Sequence, residues 1–118
     1  PRELQRTTFE GFTFSILAPL FLPAKTEVSR VLKPGDRLPV LGGLEVIESE
    51  GHTPGHISFF APEHRILFSG DSIKFYPRLG PYQNDTTVDH RLARESFRRQ
   101  MELKPQLICG GHGFARLP

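Results

Sequence analysis

Three loops hold the residues whose types and spacing could do chemistry. Gly51-His52-Thr53-Pro54-Gly55-His56 lies between two apolar runs, Gly70-Asp71 ends a third, and Gly111-His112-Gly113 ends a fourth. A histidine, an aspartate and a second histidine therefore stand where short apolar segments give way to glycine-rich turns, which is where α/β proteins build their sites. Neutral imidazoles and a carboxylate suit zinc, and also iron or manganese. The glycines on either side of His112 let the backbone take conformations that aim a ring inward. A catalytic zinc takes about three protein ligands and lowers the pKa of its water to ~7. His52, Asp71 and His112 supply, in principle, a set of two histidines and one carboxylate for one ion.

The elements that must carry these loops can be read from the flanking pattern. Leu38-Pro39-Val40-Leu41, Gly42-Gly43 and Leu44-Glu45-Val46-Ile47 read as a β-hairpin with a glycine turn, whose second arm leads into the histidine loop. Ile57 to Ala61 and Arg65 to Ser69 are short strands joined by Pro62-Glu63-His64, a connection suited to antiparallel neighbours. His64 belongs to that turn and is expected to have a structural or solvent-exposed role. Residues 72–85 read as an irregular loop, the kind that forms a lid or a substrate wall. Thr86 or Thr87 is expected to cap a helix running to about Leu103, with Val88, Leu92, Ala93, Phe97 and Met101 on one stripe. His90, near its start, is left out of the site. Pro105 ends the helix, and Leu107-Ile108-Cys109 forms a short buried strand before the last turn.

Composition narrows the classes. A chain of 118 residues is one domain or part of one, and a formal charge of +2 selects no partner by itself. The opposite face of the helix holds Arg91, Arg94, Glu95, Arg98 and Glu102, with opposite signs three or four apart. Such a face pairs with itself, so no nucleic-acid partner is expected. The apolar run from Phe12 to Pro23 is far short of the ~20 residues of a membrane span and contains proline, so no membrane association is expected. It reads as an N-terminal arm or short helix. The single cysteine, Cys109, excludes an intrachain disulfide and fits a reducing, cytoplasmic location as a buried thiol.

Taken together, Gly51-His52-Thr53-Pro54-Gly55-His56, Phe68-Ser69-Gly70-Asp71 and Gly110-Gly111-His112-Gly113 resemble the third, fourth and fifth metal motifs of the metallo-β-lactamase superfamily. The likeness extends to Pro34-Gly35-Asp36, to the stretch from Leu41 to Ile47, and to Ser96 and Lys104-Pro105, over roughly residues 31 to 114. It implies an αββα sandwich, a site for one or two ions, usually zinc, and hydrolysis by metal-bound hydroxide of an ester, thioester, lactone or similar bond. By this resemblance His52 would bind the first metal, Asp71 would bridge both, and His112 would bind the second. His56 matches a position that is usually structural. The family's first motif, His-x-His-x-Asp-His, is not in this sequence: its five histidines are His52, His56, His64, His90 and His112.

The fold expected is therefore α/β, the C-terminal half of an αββα metallo-β-lactamase-type sandwich with a mainly antiparallel or mixed sheet and flanking helices. Residues 1–30 form the apolar arm and 31–118 the half-domain. Activity is expected to need the N-terminal half. A half-sandwich leaves a sheet face uncovered, so a homo-oligomer or a complementing N-terminal segment is expected, beside a small-molecule substrate. The alternative is a non-catalytic half-domain that binds metal or assembles with itself. The aromatic and basic loop of Lys74, Phe75, Tyr76, Arg78 and Tyr82 suggests a small acyl substrate with an anionic part.

Overall fold

β-branched and aromatic residues in runs of four or five, each closed by a glycine or proline turn, fold as a mixed sheet carrying one helix among the described residues. The computed structural model describes residues 27–112 and 115–118. The expected apolar arm up to residue 26, and Gly113, lie outside them. The elements are β1 (Arg37–Leu38), β2 (Leu44–Glu48), β3 (Ile57–Ala61), β4 (Ile66–Gly70), β5 (Ile73–Lys74), β6 (Gly80–Pro81), α1 (His90–Glu102) and β7 (Leu107–Gly110). Five strands form one sheet in the order β1-β2-β3-β4-β7, antiparallel up to β4, with β7 joining parallel to β4 after the helical crossover.

Register divides the sheet into two unlike faces. Phe60, Leu67 and Ile108 are cross-strand neighbours, and with Ile73 they form the core on which Phe97, Met101 and Leu103 of the helical segment pack. Val46, Phe59, Phe68 and Cys109 share the other face. Val46 is buried there, but Cys109 is only half-buried, unlike the fully buried thiol expected from the sequence.

The hairpin forms with a shorter first arm than expected, Arg37–Leu38, the chain from Pro39 to Gly43 making its turn; the β3–β4 pair forms as expected, and His64 is exposed in the turn between those strands. Two expectations need correction. The segment 72–85 is not wholly irregular, because β5 and β6 pair across it through Ile73 with Pro81 and Lys74 with Gly80. The helix is capped by Asp89 and not by Thr86 or Thr87: its carboxylate accepts from the N–H groups of Arg91 and Leu92, at 2.8 and 2.9 Å. Thr87 instead donates to the Tyr82 carbonyl, and Val88, placed on the apolar stripe by its spacing, is 67 % exposed. At the far end Arg65 donates through Nε to the Lys104 carbonyl at 2.9 Å, where the chain turns out of the helix with Lys104 at φ 50°. A cation on the last carbonyls satisfies acceptors that the helix leaves open.

The Asp89 cap carries a pH signature. The Leu92 N–H, and after it the Arg91 N–H and the charges of Arg91 and Arg94, hold the Asp89 carboxyl below its ordinary value. A depressed folded pKa means that the ionised cap favours the folded state above the unfolded value of about 4 and loses this as pH falls through the folded value. Asn caps without titrating. Asp89→Asn should therefore melt below the wild type near about pH 7, with the gap closing near about pH 3. A gap that persists unchanged at acid pH in thermal melts counts against the ionised cap.

Candidate metal centre

Each candidate ligand is placed by a different strand end. After β2 the chain enters residues 49–56, and this loop is pinned to the start of α1: Asp89 N–H donates to Gly51 O at 2.9 Å and Val88 N–H to His52 O at 3.2 Å. Gly51 packs so closely under the helix that a Cβ there would lie 2.3 Å from the Ala93 nitrogen. Asp71 follows the end of β4, where Gly70 takes a φ of 53°. His112 follows β7, whose exit is tied to β4 by the Gly111 N–H donating to Gly70 O at 3.0 Å.

These loops bring His52, Asp71 and His112 together, with the aspartate in the middle. His52 Nε2 lies 4.0 Å from Asp71 Oδ2, and His112 Nε2 lies 3.4 Å from Oδ1, so each imidazole faces its own carboxylate oxygen. The His52 side chain is mostly covered, at 15 % exposure, and rests edge-on to Tyr82 with ring centroids 4.9 Å apart. His112 is open, at 78 %. The reading of all three as ligands of one ion is not supported: among the described residues no three His, Cys, Asp or Glu side chains converge as a single ion requires.

The donor set does fit a carboxylate shared between two ions. Two ligands about 2.1 Å from one tetrahedral metal stand about 3.4 Å apart. The His112–Asp71 separation equals that, and the His52–Asp71 separation is somewhat wider. His52 Nδ1 is buried and has no hydrogen-bond partner among the described residues. A ligating histidine ordinarily donates its other ring N–H to an acceptor that fixes its tautomer.

His56 is not part of this donor set. Its Nε2 accepts the Asp71 N–H at 3.2 Å and its Nδ1 lies 2.7 Å from Ser49 Oγ, so neither nitrogen is left for an ion. Burial pushes its pKa below the ordinary histidine value; the Asp71 carboxylate opposes this and His52 adds to it. Exposed His90 opens the helix, away from the three loops.

Asp71 and His112 open onto a cavity of about 700 Å³ whose walls include Lys74, Phe75, Tyr76, Tyr82, Asn84 and Arg116. Four of the five residues named from the loop sequence line it; Arg78 does not. Asn84 and Arg116 were not anticipated. Arg116 lies beyond the last motif and reaches the cavity only because its strand-like segment bridges Ile108 and its Nη1 donates to Phe75 O at 3.0 Å. No local sequence pattern announces such a contact. No helix among the described residues is long and apolar enough to cross a membrane.

Residues 10–112 match the family model of the metallo-beta-lactamase superfamily, so the likeness begins well upstream of the motif-bearing stretch. The chain is 31 % identical over 112 residues to the probable metallo-hydrolase YflN of Bacillus subtilis (strain 168), covering 82 % of this chain and 42 % of that protein. It is 35 % identical over 66 residues to the hydroxyacylglutathione hydrolase of Rhizobium meliloti (strain 1021), covering 54 % of this chain and 26 % of that enzyme. A crystal structure of TTHA1623 in a di-iron-bound form superposes with a TM-score of 0.66 at 30 % identity, over 86 % of this chain and 51 % of that one. The BLEG-1 B3 metallo-beta-lactamase superposes with a TM-score of 0.70 over 89 % of this chain and 51 % of that one, and at 22 % identity this likeness concerns the fold alone. The chain thus spans about half the length of these relatives, or less.

Proposed function

The chain belongs to the metallo-beta-lactamase superfamily, and from that premise we propose that it forms the C-terminal half of a metal-dependent hydrolase of small acyl compounds such as esters, thioesters or lactones. The observation that carries this reading is Asp71, set between His52 and His112 with one oxygen toward each. In this role His52, Asp71 and His112 would hold the metal, with Asp71 shared between the two histidines' sides of the site. Zinc is the expected metal; iron is the alternative that the di-iron form of TTHA1623 brings to mind, and manganese also suits such ligands. When bound, the metal supplies Lewis acidity and a water acidified to a pKa of ~7.

The chain's own groups do the rest. Asp71 and His112 border the cavity in which Lys74 and Arg116 offer cations and Tyr76 and Tyr82 offer flat apolar walls. A substrate whose acyl carbon reaches Asp71 would place an anionic substituent against Lys74 or Arg116. In this reading the His-x-His-x-Asp-His ligands, which are not in this sequence, would be supplied by a further segment or another subunit. The half-buried thiol of Cys109 fits a reducing compartment, which we take to be the cytoplasm. On the helix Arg91 pairs with Glu95 at 2.7 Å, in keeping with a solvated face and not a nucleic-acid surface.

A second reading is favoured by the lack of three convergent donors among the described residues: a half-domain that binds metal weakly or assembles with itself and has no activity. Equilibrium dialysis against zinc, followed by elemental analysis, tests the metal reading. The wild-type chain should retain zinc, and His52→Ala, Asp71→Ala and His112→Ala should each lower the affinity by about 100-fold or more, at least the loss expected for outer-shell partners. Zinc retention that none of the three substitutions changes would overturn it. Turnover of a thioester or lactone that appears only when a segment bearing the first motif is supplied separates the hydrolase from the inactive half-domain.

A further inference from the structure

We propose that Ser49 and His56 are a positioning couple for Asp71: the serine braces the histidine ring by accepting from its Nδ1–H, and the histidine fixes the peptide that carries the carboxylate. The inference rests on the reading of Asp71 as the shared metal ligand. An amide N–H can only donate, so the 3.2 Å contact from Asp71 N–H makes His56 Nε2 the acceptor. The proton of the neutral ring is then on Nδ1, where it donates to Ser49 Oγ at 2.7 Å. With the other tautomer, two N–H groups would face each other at Asp71.

The couple is held from behind by buried polar groups on other elements. Ser58 Oγ donates to Ser49 Oγ at 2.7 Å and also lies 3.2 Å from Gln100 Oε1. Ser72 Oγ is 3.0 Å from the same amide oxygen, and Gln100 Nε2 donates to Ser96 O at 3.1 Å within α1. Ser49, Ser58, Ser96 and Gln100 are 0 % exposed. Water cannot stand in for a lost partner in so closed a place, and a partly satisfied buried network is costly. The ring also packs flush on the chain before Asp71: a Cβ at Gly70 would lie 3.0 Å from His56 Nε2. The ring thus braces the Gly70–Asp71 peptide from which the carboxylate projects. His56 touches no ion in this scheme and acts only through Asp71.

The test uses nuclear magnetic resonance and zinc titration on the full chain. Long-range proton–nitrogen spectra should show His56 as a single Nδ1–H tautomer. Ser49→Ala should yield a mixture of tautomers, with the Asp71 amide exchanging about 10-fold faster as its acceptor is lost for part of the time. His56→Gln, whose amide oxygen replaces Nε2 as the acceptor, should keep zinc affinity within about 3-fold, while His56→Phe should lose about 10- to 100-fold. A wild-type ring protonated on Nε2 would sink the proposal, as would Ser49→Ala leaving both tautomer and Asp71 exchange unchanged, or equal zinc affinities in the Gln and Phe variants. If Ser49→Ala does not fold, the Gln and Phe variants decide. If the wild-type chain takes up no zinc, the metal reading fails while the tautomer and exchange measurements still decide the couple.

Discussion

Gly111→Ala is expected to weaken zinc binding by about 100-fold while leaving the thermal midpoint within a few degrees of the wild type. The residue has no side chain where Asp71 needs the space: a Cβ would lie 2.3 Å from Asp71 Oδ1 and 3.2 Å from its Cγ. The backbone cannot easily retreat, because the Gly111 N–H donates to Gly70 O at 3.0 Å and the Gly70 carbonyl carbon lies 3.3 Å from the same Cβ position. What can yield is the carboxylate, whose side chain is about one-third exposed. It would rotate into the cavity and leave the place in which its oxygens face His52 and His112. Fold stability hardly depends on that pose, since the carboxylate is about one-third exposed and its close partners are His52 and His112. A ligand displaced by an ångström, however, forfeits most of its contribution to a site. Gly80→Ala is the control, because nothing lies within 4 Å of a Cβ there. Calorimetric zinc titrations and melts of the two variants give the answer. A Gly111→Ala chain that binds zinc within about 3-fold of the wild type would mean that this carboxylate pose does not hold the metal.

The three strand-end motifs were legible because glycine and proline punctuate them and the strands between are locally well specified. β3 and β4 came out within a residue of their sequence reading, since alternating burial across an antiparallel pair is written into each strand separately. Long-range contacts decided what local pattern could not. Thr87 and Asp89 are both competent caps, and the choice falls on Asp89 because the N–H groups of Val88 and Asp89 are drawn away to the carbonyls of His52 and Gly51. The histidine loop thus sets where the helix begins. Ser96 and Gln100 are polar by type, yet they are fully buried, because partners on β3, on the segment after β4 and in the histidine loop satisfy them. The two-residue strands β5 and β6 have too little sequence to announce themselves and depend on each other across the loop. For the candidate site, the residue types were readable and their relative pose was not. The split of the two imidazoles between the oxygens of Asp71 follows from how β4 and β7 end beside each other.

The dependence of the site on the helix can be measured at Gly51. Gly51→Ala should destabilise the chain by about 3 kcal/mol or more, adding strain in a left-handed backbone region to overpacking. The backbone there has a φ of 133°, and the new Cβ would meet the nitrogen, Cα and Cβ of Ala93 at 2.3, 2.5 and 2.8 Å. Helix backbone is the least yielding neighbour a methyl group can meet. Moving α1 aside would also break the bonds that Gly51 O, His52 O and Glu50 O receive from Asp89, Val88 and Ser96. Domains of this size have about 5–15 kcal/mol in total, so the loss would be plain in urea denaturation. Gly55→Ala separates the two causes: its φ is 73° with nothing within 4 Å of a Cβ, so it carries strain without the clash. It should cost only about 1 kcal/mol. If the two variants proved equally stable, the loop would not be wedged against the helix as its hydrogen bonds indicate. If Gly51→Ala is the weaker by the expected margin, the packing of α1 on the histidine loop is what holds His52 opposite Asp71, and a change in the helix would be felt at the metal centre.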